Sequence, residues 1–122
     1  GGAVLKALSQ GPASEFSNCM FDGNEASDGG AVYSLTGSDD DVFTSCVFRH
    51  NFARVSGGAI FHAGPLLVTN TTFLANEAGL EGAAVMSIGL LKELYNVSFS
   101  ENTYRCGASE YGYILKSEAR TI

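Results

Sequence analysis

The tetrapeptide FxxN occurs four times in one register, as Phe21 with Asn24, Phe48 with Asn51, Phe73 with Asn76 and Phe99 with Asn102. The Phe residues lie 27, 25 and 26 positions apart. A period of that length belongs to repeat architectures, in which one small unit cannot bury its apolar face alone and must stack on its neighbours. A second motif keeps step with the first. Gly1, Gly29 and Gly57 open GGAV, GGAV and GGAI, Gly82 opens the weaker GAAV, and Tyr111 opens YGYI, with spacings of 28, 28, 25 and 29. Ala26, Ala53 and Ala78 stand two residues after the Asn, with Tyr104 in the fourth copy.

A third element precedes each Phe: an apolar residue two positions before a polar turn-former, as in Phe16 and Asn18, Phe43 and Ser45, Val68 and Asn70, Leu94 and Asn96. The offset from that apolar residue to the following Phe is 5. Strict strand alternation cannot turn both inward across an odd offset, so a corner must intervene. Asn and Ser make such corners by bonding their own local backbone. Each repeat therefore reads as three short extended segments separated by bends, with no helical periodicity. A unit of about 26 residues that wraps once and stacks on the next at roughly 4.8 Å is a coil of a parallel β-helix.

The expected fold is an all-β, right-handed, single-stranded parallel β-helix of four to five coils, filling residues 1–122 as one domain. Its inward ladders would be Phe21, Phe48, Phe73, Phe99 and Val4, Val32, Ile60, Val85, Ile114. Asn24, Asn51, Asn76 and Asn102 would exchange amide hydrogen bonds along the axis. Paired Gly would turn the chain where a Cβ would collide. A β-propeller needs a longer repeat, and the LxxLxL pattern of leucine-rich repeats does not occur.

Composition agrees with a packed solenoid: apolar residues at 45% can line a continuous core, and 15 Gly against 2 Pro suit many tight corners. The net charge of −6 lacks the basic footprint of a nucleic-acid binder. No run of about 18 apolar residues is present to span a bilayer as a helix. The chain opens inside a motif, without an initiator Met or a signal-peptide pattern. A processed subunit or a segment of a longer chain is expected from that. Gly2 to Lys6 (GAVLK) is similar to Gly112 to Lys116 (GYILK). Uncapped edges of this kind would let copies associate end to end.

The repeated FxxN with GGA[IV] closely resembles the repeats of the chlamydial polymorphic outer-membrane proteins and of related predicted outer-membrane β-helix repeats. The resemblance implies a surface-exposed module, of the kind found in autotransporter passengers that serve adhesion. It implies a non-enzymatic structural or adhesive role at the cell surface or outside it, with a host or cell-surface receptor or glycan as partner. The family's C-terminal membrane barrel has no counterpart in these residues, and the fourth copy loses GGA[IV].

Cys19 and Cys46 both lie two residues before a Phe, and their separation of 27 equals the local period. They should stack on neighbouring coils, either as a disulfide or as two reduced thiols. Cys106 has no partner in register and reads as a small buried residue or an intermolecular bridge. Asn70 in NTT and Asn96 in NVS are N-glycosylation acceptors in form, usable only in a eukaryotic secretory setting, and they also match the turn residues Asn18 and Ser45. Asp39, Asp40 and Asp41 read as a solvated insertion rather than a calcium loop. His50 and His62 form no zinc spacing with Cys46 and read as exposed. Glu25 and Glu77 fall two coils apart, at roughly 10 Å, just beyond the carboxylate separation of an inverting glycosidase. A polysaccharide lyase or hydrolase, or a carbohydrate-binding β-helix, is the alternative reading, by fold analogy. Ice binding would need a regular Thr array, which Thr69, Thr71 and Thr72 do not continue. No catalytic, metal-binding or cofactor-binding residues are expected.

Overall fold

Four strands make up each turn of the chain in the computed structural model, which describes residues 2–9, 15–36, 41–63, 66–80, 82–87, 91–104 and 115–117. The first coil runs through β1 (Val4–Ser9), β2 (Glu15–Ser17), β3 (Met20–Asp22) and β4 (Glu25–Asp28). The second contains β5 (Val32–Thr36), β6 (Asp41–Thr44), β7 (Val47–Arg49) and β8 (Phe52–Ser56). The third contains β9 (Ile60–Ala63), β10 (Leu66–Thr69), β11 (Thr72–Leu74) and β12 (Glu77–Ala78). The fourth has β13 (Val85–Ser87), β14 (Leu91–Tyr95), β15 (Ser98–Ser100) and β16 (Thr103–Tyr104), and β17 (Leu115–Ser117) continues above β13. Each strand pairs in parallel with its equivalent one coil away, giving sheets ordered β1-β5-β9-β13-β17, β2-β6-β10-β14, β3-β7-β11-β15 and β4-β8-β12-β16. This is a parallel β-helix.

The corners explain why there are four sheets and not three. Asn18, Ser45, Asn70 and Asn96 hold φ between 49° and 57°, which turns the chain from the second sheet to the third. That is the corner the odd offset demands. A further left-handed residue sits inside FxxN itself: Gly23, His50, Ala75 and Glu101, with φ of 74°, 56°, 55° and 59°. It splits the expected third segment into two strands. Ala and Glu rarely adopt this conformation, so the sequence gives no local sign of the turn at Ala75 or Glu101. The third corner uses the paired Gly. Gly57 has φ of 71°, and a Cβ on Gly58 would lie 1.9 Å from the Ala83 carbonyl oxygen of the next coil.

Inside, the Phe ladder forms as expected. Phe21, Phe48, Phe73 and Phe99 stack with centroid separations of 4.6, 4.9 and 5.1 Å and nearly parallel planes. Phe16 and Phe43 stack beside them at 4.9 Å, and Phe43 meets Phe48 edge-on at 5.5 Å. Val68 continues that second column in register with Phe43, and Leu94 follows Val68. In the first sheet Val4, Val32, Ile60 and Val85 are aligned. Leu115 takes the next place, paired with Val85, where Ile114 was expected; Ile114 itself lies outside the described residues. The one-residue difference follows from YGYI being a poor copy of GGA[IV], so the motif could not set the register there.

The Asn ladder is more complete than simple amide stacking. Asn51 Oδ1 accepts from both the backbone N–H and the side-chain amide of Asn24, at 2.9 and 3.0 Å. Asn76 Oδ1 does the same for Asn51, at 3.1 and 2.9 Å, and Asn102 Oδ1 for Asn76, both at 2.9 Å. The second amide hydrogen reaches back a coil, with Asn51 donating to the Phe21 carbonyl, Asn76 to Phe48 and Asn102 to Phe73. The corners at Asn24, Asn51 and Asn76 thus satisfy their backbone N–H with a side chain from the coil above, which removes the desolvation penalty such a corner would otherwise carry.

Candidate functional site

Alternation that sends Phe16, Phe43, Val68 and Leu94 toward the core places Ser17, Thr44, Thr69 and Tyr95 on the outside of the second sheet, in register. The adjoining corner adds Asn18, Ser45, Asn70 and Asn96, all exposed. Left-handed φ points these corner side chains away from the core. Thr69 Oγ1 donates to Thr44 Oγ1 at 3.3 Å, and Asn96 Nδ2 donates to Asn70 Oδ1 at 2.6 Å. Tyr95 is 63% exposed. The eight positions carry hydroxyls and amides and no formal charge, and exposed Glu15 stands on the same face beside Ser17.

The neighbouring walls are different. On the third sheet Arg49 Nε lies 3.0 Å from Asp22 Oδ2, though not aligned for a hydrogen bond. On the fourth, Arg54 reaches Glu25 Oε2 at 3.3 Å and the Ser27 hydroxyl at 3.1 Å. Both ion pairs are substantially exposed and contribute little to stability. Glu25 and Glu77 do share one column with Phe52 between them. Phe52 interrupts the pair and Arg54 occupies Glu25, so the two carboxylates do not face a common site. Phe52 is half-buried, and exposed Val55 and Leu80, on its own coil and the next, are joined by a bond from Leu80 N–H to the Val55 carbonyl.

The interior holds a polar group that overturns two expectations. His62 and Asp41 are buried, not exposed, and His62 Nε2 lies 2.9 Å from Asp41 Oδ2. Ser34, also buried, donates to the same carboxylate oxygen at 2.9 Å. Asp39 and Asp40 lie outside the described residues. The physical reason is alternation: Val32 and Ile60 face inward, so Ser34 and His62, two residues on, face inward too. Asp41 takes the inward place held by Leu66 on the next coil. His62 Nδ1 has no partner among the described residues, and the same is true of buried Ser87 Oγ, which stands in register with His62. Although Ser, His and Asp come together, they do not form a nucleophilic relay. Ser34 bonds the Asp and not the His, and all three are sealed from solvent. His50 is exposed at its corner, as expected.

Cys19 and Cys46 are free thiols at equivalent positions of adjacent coils. Cys46 Sγ donates to the carbonyls of Phe16 and Thr44, at 3.3 and 3.4 Å. Cys106 lies outside the described residues. Among the described residues no group of three or more His, Cys, Asp or Glu is placed to hold a metal ion, and no helix is long and apolar enough to cross a membrane.

With the coil geometry in hand, the chain is defined first as a parallel β-helix repeat protein. The family model of the Chlamydia polymorphic membrane protein repeat matches residues 18–35 and 45–63. Each matched stretch runs from the left-handed corner through the Phe strand and the Asn corner to the strand after GGA[IV], so residues 18–63 carry repeats of this family. No curated protein and no solved structure matches the chain.

Proposed function

We propose that this chain is a non-enzymatic, surface-displayed β-helix module whose hydroxyl and amide columns bind a neutral glycan of a cell surface. The observation that carries the reading is the pair of columns Ser17, Thr44, Thr69, Tyr95 and Asn18, Ser45, Asn70, Asn96, held in register by the coils beneath. Hydroxyl and amide groups donate and accept toward sugar hydroxyls, and an exposed Tyr offers a flat apolar face with a polar tip. A rigid wall also limits the ordering cost of binding an extended ligand. The family match supports surface location. Asn70 and Asn96 belong to this wall, so an N-linked glycan on either would cover it; glycosylation and binding exclude each other here.

The test is titration of neutral and acidic oligosaccharides onto the full chain and onto Tyr95→Ala and Thr69→Val. Binding of a neutral glycan that falls at least tenfold in both variants, with unchanged thermal stability, is expected. Equal binding by the wild type and both variants, or a preference for acidic glycans, would refute the proposal.

A further inference from the structure

We propose that Cys19 and Cys46 form an oxidation-dependent staple that ties the first coil to the second. The column that contains them reads Cys19, Cys46, Thr71, Val97 on successive coils, held in step by Val47 N–H donating to the Cys19 carbonyl, Thr72 N–H to that of Cys46 and Ser98 N–H to that of Thr71. Only the two lower coils place thiols there. In-register neighbours of a parallel ladder stand about 4.8 Å apart, inside the range of roughly 4.4–6.8 Å that a disulfide accepts between Cα atoms. Cys46 is confined between its neighbours: its backbone N–H donates to Thr71 Oγ1 above at 3.3 Å, and its sulfur lies 3.3 Å from the Phe16 carbonyl oxygen of the coil below. The structure is that of the reduced pair.

The two thiols differ in a way that sets the order of events. Cys19 is partly exposed and Cys46 is buried. Burial pushes the Cys46 thiol up, against an opposing pull from the Cys19 amide. A small-molecule disulfide such as oxidised glutathione therefore meets Cys19 first. The Cys19 thiolate attacks one glutathione sulfur and expels one glutathione thiolate; the Cys46 thiolate then attacks the Cys19 sulfur and expels the second. The protein loses two electrons and two protons, and glutathione disulfide gains both as two thiols. Closing a loop of 27 residues restricts the unfolded chain, so the linked form unfolds at higher temperature. In an extracellular, oxidising setting the staple would be closed.

The experiment exposes the folded full chain to glutathione at equal oxidised and reduced concentrations, quenches by alkylation without reduction, and maps peptides by mass. A Cys19–Cys46 linked peptide, about 2 Da lighter than the sum of its reduced parts, should dominate, and the melting temperature should rise by several degrees over the reduced chain. Cys46→Ser should leave Cys19 carrying glutathione, whereas Cys19→Ser should leave Cys46 slow to react. Both thiols recovered as alkylated Cys, or linkage of either to Cys106 in place of the other, would overturn the proposal. Circular dichroism of the Cys19→Ser/Cys46→Ser double variant establishes that the fold itself does not depend on the pair.

Discussion

Replacing Asn76 by Ala tests whether the buried amide ladder holds the coils together. The Asn76 side chain makes four hydrogen bonds: its Oδ1 accepts from Asn51 N–H and Asn51 Nδ2, and its Nδ2 donates to the Phe48 carbonyl and to Asn102 Oδ1. Truncation strands two buried donors on Asn51. The backbone Asn76 N–H still reaches Asn102 Oδ1, so the damage is confined to the coil below. At about 1–3 kcal/mol for each stranded buried group, with a small cavity added, the loss comes to about 3–5 kcal/mol. That is a large share of the about 5–15 kcal/mol that stabilises a typical domain. Urea unfolding followed by circular dichroism measures it, with Ser100→Ala on an exposed strand position as a control expected within about 0.5 kcal/mol of wild type. Asn76→Asp separates hydrogen bonding from packing, since it keeps the acceptors for Asn51 but sets a buried carboxylate against the Phe48 carbonyl and Asn102 Oδ1. Its folded-state affinity for a proton is then raised, so this variant gains stability as the pH falls and loses it as the pH rises. A loss below about 1 kcal/mol for Asn76→Ala would refute the reasoning, because the corner would then be satisfied without its ladder.

Phe48→Ala should cost about 3–5 kcal/mol in thermal or denaturant unfolding, since Phe48 is fully buried between Phe21 and Phe73 and against Phe43; a transition that barely moves would place Phe48 outside the core. Ser34→Ala and Ser87→Ala make the same chemical change two coils apart and should differ. Ser34 donates to a buried carboxylate, so its loss should cost about 1.5–3 kcal/mol, whereas removing the Ser87 hydroxyl, which has no partner among the described residues, should be neutral or slightly stabilising, by up to about 1 kcal/mol. Equal unfolding midpoints for the two variants would contradict the assigned hydrogen bonds.

The solenoid was legible because its inward positions repeat. Phe21 and Asn24 recur at each coil, and Ala26 and the GGA[IV] residues through the first three, for a steric reason that recurs with them, and the structure pairs Phe21, Ala26 and Val32 with their equivalents one coil on. Legibility failed where the chain obeys position and not residue type. His50, Ala75 and Glu101 occupy a left-handed corner that only Gly23 advertises. His62 and Asp41 looked like surface residues by type, yet alternation from Ile60 was enough to turn His62 inward. That signal was present in the sequence; the burial of Asp41 was not, because the loop before it hides the phase of the strand.

The same division bears on function. The inward Phe, Asn and aliphatic columns are nearly uniform, since each side chain must match the one above and below it at about 4.8 Å. Outward columns carry no such demand: Met20, Val47, Thr72 and Ser98 on the third sheet share a register and almost no chemistry, and even the hydroxyl column Ser17, Thr44, Thr69, Tyr95 changes size from coil to coil. A residue on an outer wall can therefore change without disturbing the coil, so recognition of the kind proposed above would be written there, in positions that no repeat motif marks. The fold is specified by what recurs from coil to coil. The exposed Tyr95, the one aromatic residue in a column of Ser and Thr, is for that reason a better guide to the proposed binding wall than any of the residues that announce the repeat.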